Sequence, residues 1–383
     1  MNDNPDDLIY LDHNASTFLD PLVVEVMQPF LAGRHGNPSS GHALGRQGRH
    51  AIEHARGQAA ALLDVDPAEV FFTSGGTESN NHALMGTAWA LRDRGDHIVT
   101  SAVEHPAILE VCRFLATQGF SFSTVPVDGE GRVDPADVAA ACTERTILVS
   151  VMLANNETGT IEPVADIAAE ARKRGIWCHT DAAQAVSKIP VRAPELGVHM
   201  LSLAGHKIYG PKGIGLLVIR DGADPANLMY GAGHEGGRRP GTENVAAIAG
   251  LGMACELAAT NLAAGTMERV RKLRDRMEIR LLEMIPGAVI HARGAERLPN
   301  TLSVGLPGLK APDLMAAMPE VAVSAGAACH GDRLVASHVL GAMGVEPDVS
   351  AGTLRFSLGR TTTDEDIAMA LADLARAVEQ LGG

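Results

Sequence analysis

Three short stretches carry residue types that could do one chemistry together. In TSGGTESNN (73–81) a β-rich run ends in Gly75-Gly76, and Thr77 follows at a helix start. Free backbone N–H groups, the helix dipole and a hydroxyl therefore converge on one point, as a phosphate site requires. A tight turn with a threonine N-cap would give the same letters, and no G-x-x-x-x-G-K-[ST] P-loop occurs. HTDAAQ (179–184) places Asp181 and Gln184 at the carboxyl end of a hydrophobic run. A buried carboxylate there is costly unless it meets a cation, and a pyridinium nitrogen is one. AGHKIYGPKG (204–213) sets Lys207 just after another such run, among glycines that let a bulky ligand approach the backbone. A desolvated lysine of lowered pKa can form a Schiff base. Taken singly, Lys207 reads as a solvated loop lysine. Together the three stretches match the needs of pyridoxal phosphate.

His105, in SAVEHPA, again follows a strand pattern and opens a helix. An imidazole there could stack on a cofactor ring and move protons near neutral pH, or simply cap the helix. Cys329 stands in SAGAACHGDR (324–333), behind five small residues, whereas Cys112, Cys142, Cys178 and Cys255 fall in helical or strand patterns and read as small hydrophobes. His50, Glu53 and His54 fit the H-x-x-E-H zinc-hydrolase pattern. Their arginine-rich surroundings read as a solvated helix face without a third ligand, so no metal is expected.

Between 51 and 220 helical patterns alternate with short β-rich runs: VFFTS, HIVTSAV, TILVSVML, IWCHTD, HMLSLAG and GIGLLVIR. That alternation predicts a mainly parallel sheet with crossover helices, whose ligands gather at the carboxyl ends of the strands. After Gly222 come a glycine-rich loop (YGAGHEGGRRPGTEN), a helical run over 245–259, a charged helix over 267–284, and a smaller α+β section with NTLSVGL, VAVSA and TLRFSLG.

The chain has 383 residues, 46% hydrophobic and only 3% aromatic, enough for a core of Ala, Val, Leu and Ile in two domains. A net charge of -14 without a basic stripe argues against direct nucleic-acid binding. Five scattered cysteines with no C-x-x-C pair support neither a disulfide framework nor a cysteine zinc site. MNDNPDDLIYLD lacks the marks of a signal peptide, and no uninterrupted apolar run approaches bilayer length, so a cytoplasmic protein without membrane contact is expected.

The stretches YLDHNAST, GNPSSGHALGR, FTSGGTESNN, EHPAI, LANNETGTIEPV, HTDAAQAVSK, GHKIYGPKGIG, GRRPGTEN, LPNTLSV, SHVLGAMGV and LRFSLGR, in one order along nearly the whole chain, resemble the cysteine desulfurases. Selenocysteine lyases are close relatives, all within the class V aminotransferase branch of fold-type I pyridoxal-phosphate enzymes. The resemblance implies an α/β fold: a mainly parallel central sheet with helices on both faces in a large domain (17–260), and a smaller α+β domain (1–16 and 261–383) carrying the cysteine loop.

It implies that Lys207 bears the cofactor and that Asp181 pairs with the pyridinium nitrogen. Gln184 contacts the phenolic oxygen, His105 stacks on the ring and shuttles protons, and Gly76, Thr77 and His206 hold the phosphate. Thr242 reaches the phosphate of the other subunit of a homodimer. Asn156, counted with both cofactor and substrate, joins Asn14 and Arg355 around the substrate carboxylate, the arginine through a bidentate pair. Cys329 takes sulfur from L-cysteine as a persulfide, alanine leaves, and the sulfur passes to an acceptor protein. Relatives serve iron–sulfur cluster assembly, tRNA thiolation, DNA phosphorothioation and selenophosphate supply.

Two departures stand out. Ala204 replaces a serine that adds a phosphate contact in most such desulfurases. AGAACH, with the proline of RRPGTEN, resembles the selenocysteine lyases, which release selenium and alanine from L-selenocysteine. A plain aminotransferase or decarboxylase is a further alternative on the same scaffold.

Overall fold

Five neighbouring strands of one sheet are buried along their whole length: His97–Ser101, Thr146–Ser150, Trp177–Asp181, Met200–Ala204 and Gly215–Ile219. Continuous burial is what a sheet covered on both faces demands of its strands. The structure, a computed structural model, describes residues 8–220, 222–326, 328–330, 333–335 and 337–382, with backbone alone for 328–330 and 333–335.

Those five strands, with Val70–Thr73 and Ser121–Val125, form one seven-stranded sheet. Its order is Val70–Thr73, Gly215–Ile219, Met200–Ala204, Trp177–Asp181, Thr146–Ser150, His97–Ser101, Ser121–Val125. Gly215–Ile219 runs antiparallel to both its neighbours and every other pairing is parallel. One apolar core joins this sheet to helices Ala43–Leu63 and Val245–Ala263 through Ile52, Leu63, Val149, Leu201, Leu251 and Cys255. A further cluster around Ile98, Ile108, Leu148 and Met200 involves helices Gly76–Ala90 and Pro106–Thr117.

Val245–Ala263 is long and apolar enough to cross a membrane by length and composition. The sequence reading found no uninterrupted run of that length because Glu256 interrupts this one. In the fold Ile248, Leu251, Ala254 and Cys255 are buried, and a Cβ on Gly252 would lie 2.5 Å from Ala55 Cα, so this helix is a core element.

The second core packs a four-stranded sheet against the long helices Thr266–Met284 and Asp364–Gly382. Leu354–Ser357 lies between Thr301–Gly305 and Ser324–Ala325, antiparallel to both. The VAVSA run is two strands, because Val321–Ala322 turns away to pair in parallel with Ile9–Tyr10. Ala328–His330 and Arg333–Val335 form a separate hairpin that pairs Cys329 with Leu334.

Candidate active site

The carboxyl ends of five sheet strands open on one cavity of about 410 Å³. Val70–Thr73 delivers Gly76 and Thr77; His97–Ser101 delivers His105; Thr146–Ser150 delivers Asn156. Trp177–Asp181 delivers Asp181 and Gln184, and Met200–Ala204 delivers His206 and Lys207. Asn14 and Arg355 enter from the side of the second core. Ten residues singled out in the sequence thus line one cavity. Thr242 is exposed and does not line this cavity, and the side chain of Cys329 lies outside the described residues.

Helix Gly76–Ala90 begins without a side-chain cap. Its N-cap is Gly75 at φ 150, backbone that favours glycine, so the threonine N-cap considered for this turn is not formed; Thr77 sits inside the first turn. Gly76 and Thr77 of this uncapped start line the cavity, with Ala204 so close that a Cβ on Gly76 would lie 3.3 Å from it. Glu78, in the same turn, is held by Arg239 at 3.0 Å, which ties the GRRPGTEN loop to this helix start. His206 is pushed down to about 4 by burial and by Lys207 and Lys212, so it stands neutral near its Ser16 partner.

Asp181 is buried, accepting from Asn80 Nδ2 at 2.7 Å and from the Ala183 N–H at 3.0 Å. Among the described residues it forms no ion pair. Lys207 Nζ donates to the carbonyls of Asn14 and Ala15 at 2.5 and 2.8 Å. Burial first, then Arg355, lowers its pKa to about 8, against the opposing pull of Asp181 and Asp12. His105 caps helix Pro106–Thr117, its Nδ1 accepting from the Ala107 N–H at 3.1 Å. In the neutral ring the proton therefore sits on Nε2. Desolvation lowers this imidazole below its ordinary range, and Lys207 and His338 add to that while Asp181 opposes it.

Arg355 is no surface arginine. It is buried, with Nη2 donating to Asp12 Oδ1 at 2.8 Å and to Ser324 Oγ at 2.9 Å, and Nη1 donating to the Asn156 carbonyl at 2.9 Å. Its Nε is buried without a partner. Sequence reasoning missed Asp12, Asn80 and Lys188, which hold Arg355, Asp181 and Gln184 respectively. Asn80 and Lys188 were detectable by helical spacing, four residues beyond Gly76 and Gln184; Asp12 had no local signal. In the H-x-x-E-H stretch His50 and His54 are exposed and Glu53 pairs with Arg56.

Residues 9–369 match the family model "Aminotransferase class-V", and the chain belongs to that family of pyridoxal-phosphate enzymes. Within it, the chain is 44% identical to "Cysteine desulfurase IscS" of Dictyoglomus turgidum over 97% of its own length and 95% of that relative's. It is 42% identical to "Cysteine desulfurase" of Trichormus azollae, covering 98% of this chain and 94% of the relative. A solved "NifS-like protein" superposes with a TM-score of 0.92 at 36% identity, covering 98% of this chain and all of that one.

The residues fit the family's cofactor. A buried carboxylate without a cation suits a protonated ring nitrogen, an uncapped helix start suits a phosphate, and an amine of lowered proton affinity suits an aldehyde.

Proposed function

We propose that this protein is a pyridoxal-phosphate-dependent cysteine desulfurase that converts L-cysteine to L-alanine and passes the sulfur to Cys329 as a persulfide, then to an acceptor protein. The observation that carries this reading is the delivery of Lys207, Asp181, His105 and Arg355 to one cavity, in a chain 44% identical to a relative named for that activity. In this reading Lys207 would bind the cofactor's aldehyde carbon, Asp181 the ring nitrogen and Gln184 the phenolic oxygen. Gly76, Thr77 and His206 would take the phosphate, with Thr242 contributed across a homodimer. The bound cofactor supplies the electron sink for charge developing at the substrate α-carbon.

The chain's own groups do the rest. Arg355 and the neighbouring Asn14 and Asn156 orient the substrate carboxylate. The Lys207 amine, which loses its proton near pH 8, takes a proton and returns it. His105 holds or releases a proton at Nε2. The Cys329 thiolate attacks the substrate sulfur: an S–S bond forms, the C–S bond breaks, and the substrate β-carbon takes a proton. L-cysteine and a thiol become L-alanine and a persulfide.

The reading places the enzyme in the cytoplasm, with 17–260 as the cofactor domain and 1–16 with 261–383 as the smaller one. Mass spectrometry after exposure to L-cysteine, without an acceptor, is expected to find one added sulfur atom on Cys329. Its absence there, with sulfur on another cysteine, would overturn the carrier assignment. Sedimentation is expected to give a dimer, and a monomer would remove the role of Thr242. Because AGAACH resembles the lyases, L-selenocysteine belongs beside L-cysteine in every assay.

A further inference from the structure

Lys188 is a buried lysine to which the proposed chemistry gives no task. It lies in the turn after strand Trp177–Asp181, where Lys188 N–H donates to the Ala185 carbonyl and Ala185 N–H to that of Ala182. The turn brings residues 184 and 188 to the same side. Lys188 Nζ donates to Gln184 Oε1 at 2.6 Å and to Asn14 Oδ1 at 2.9 Å, and among the described residues it forms no ion pair. The charged and titratable groups that act on it or feel it are Lys207, Arg355 and His13. With burial, the first two drive its pKa well down.

In both bonds the Lys188 amine is the donor, so each amide turns its oxygen end to it. That choice fixes the other ends. Gln184 Nε2 is turned to the Asn14 carbonyl at 2.9 Å, and Asn14 Nδ2 to Thr301 Oγ1 and the Asn156 carbonyl at 2.9 and 3.2 Å. The same Asn14 carbonyl also receives Lys207 Nζ. The buried amine thus holds the oxygen end of Gln184, while its hold on Asn14 Oδ1 is shared with Asn300 Nδ2 at 3.0 Å and the Asn14 carbonyl under Lys207 is met by Gln184 Nε2.

We propose that Lys188 is a positioning residue: by holding Gln184 Oε1 and Asn14 Oδ1 it leaves the Gln184 NH₂ as the group offered to the cavity. The inference rests on the cofactor reading above. A fixed NH₂ favours an anionic phenolic oxygen; a free amide could present its carbonyl and repel it.

The test is a pH titration of the visible absorbance of the holoenzyme, with the cofactor dissociation constant measured alongside, for wild type, Lys188→Met, Gln184→Leu and the double variant. Lys188→Met is expected to raise the titration midpoint by about one pH unit, the size of one hydrogen bond, and to weaken cofactor binding about tenfold. In the Gln184→Leu background it is expected to add little, since both changes remove one interaction. An unchanged midpoint, or a shift that adds in full to that of Gln184→Leu, would overturn the proposal. Should Lys188→Met fail to fold, Lys188→Gln carries the same test, keeping a donor at shorter reach, with a midpoint expected between wild type and Gln184→Leu. A wild-type protein that takes up no cofactor sinks both this inference and the reading beneath it.

Discussion

Arg355 and Lys207 show how far single residues are prepared for their tasks. Nη2 of Arg355 gives both its N–H groups to Asp12 and Ser324 and Nη1 gives one to the Asn156 carbonyl, so the second Nη1 N–H is left for a ligand while the unpartnered Nε is buried. Lysine cannot reproduce three fixed nitrogens. Arg355→Lys is expected to raise KM for L-cysteine by about tenfold or more, the worth of one charged hydrogen bond, and an unchanged KM in steady-state kinetics would refute the assignment. Lys207 gives a pH prediction. An amine must be neutral to attack an aldehyde, and this one is lowered from 10.5 to about 8. The rate of cofactor uptake by apoenzyme is therefore expected to rise with pH through a midpoint near 8 and level off above it. A midpoint near 10.5 would mean that Lys207 is an ordinary solvated lysine.

Among the elements, the turn that carries Gln184 and Lys188 holds a strained residue. Ser187 is buried at φ 73, a conformation that costs an L-residue about 1 kcal/mol or more. Ser187→Gly is expected to stabilise the protein by about 1 kcal/mol in chemical denaturation, less what glycine adds to unfolded-chain entropy; destabilisation would show that the hydroxyl does something else. The same scale shows what was legible in the sequence. Strands such as TILVS and MLSLA announce themselves because both faces are buried, and the residues just after them were found for that reason. The strand Ser121–Val125 was not, since this edge strand exposes Ser121 and Thr124 and lacks an apolar run. Helix Ala43–Leu63 starts before residue 51, where the alternating pattern begins in the sequence. Gly45 and Gly48 argue against a helix locally, yet a Cβ on Gly45 would meet the Asn37 carbonyl at 2.6 Å, a reason visible only in three dimensions. Asp12, 343 residues from Arg355, escaped for the same reason.

Across the whole molecule, buried titratable groups shape stability against pH. Burial lowers His13 and His291 to about 4 and His179 to about 3, so the unfolded chain binds more protons below pH 6.5 and stability falls as pH drops from there. Burial raises Glu104 from 4.5 to about 8 and Glu162 to about 7. Their folded forms keep a proton that the unfolded chain releases, so their stability is full below 4.5 and is lost as pH rises to about 8. The two trends place the maximum of Tm near pH 6.5. Glu104→Gln keeps an oxygen for Ser101 Oγ and the Met152 N–H without a titrating proton, so its Tm is expected to fall less than wild type's between pH 6.5 and 8. Parallel curves for the two proteins would contradict the burial argument.

Whether the cavity at the strand ends serves sulfur removal through Cys329 is decided by alanine release from L-cysteine and from L-selenocysteine, by wild type and by Cys329→Ala side by side. Wild type is expected to turn over L-cysteine and the variant to lose that turnover, with cofactor still bound. Alanine from L-selenocysteine alone, or L-cysteine turnover that survives the substitution, would contradict this expectation.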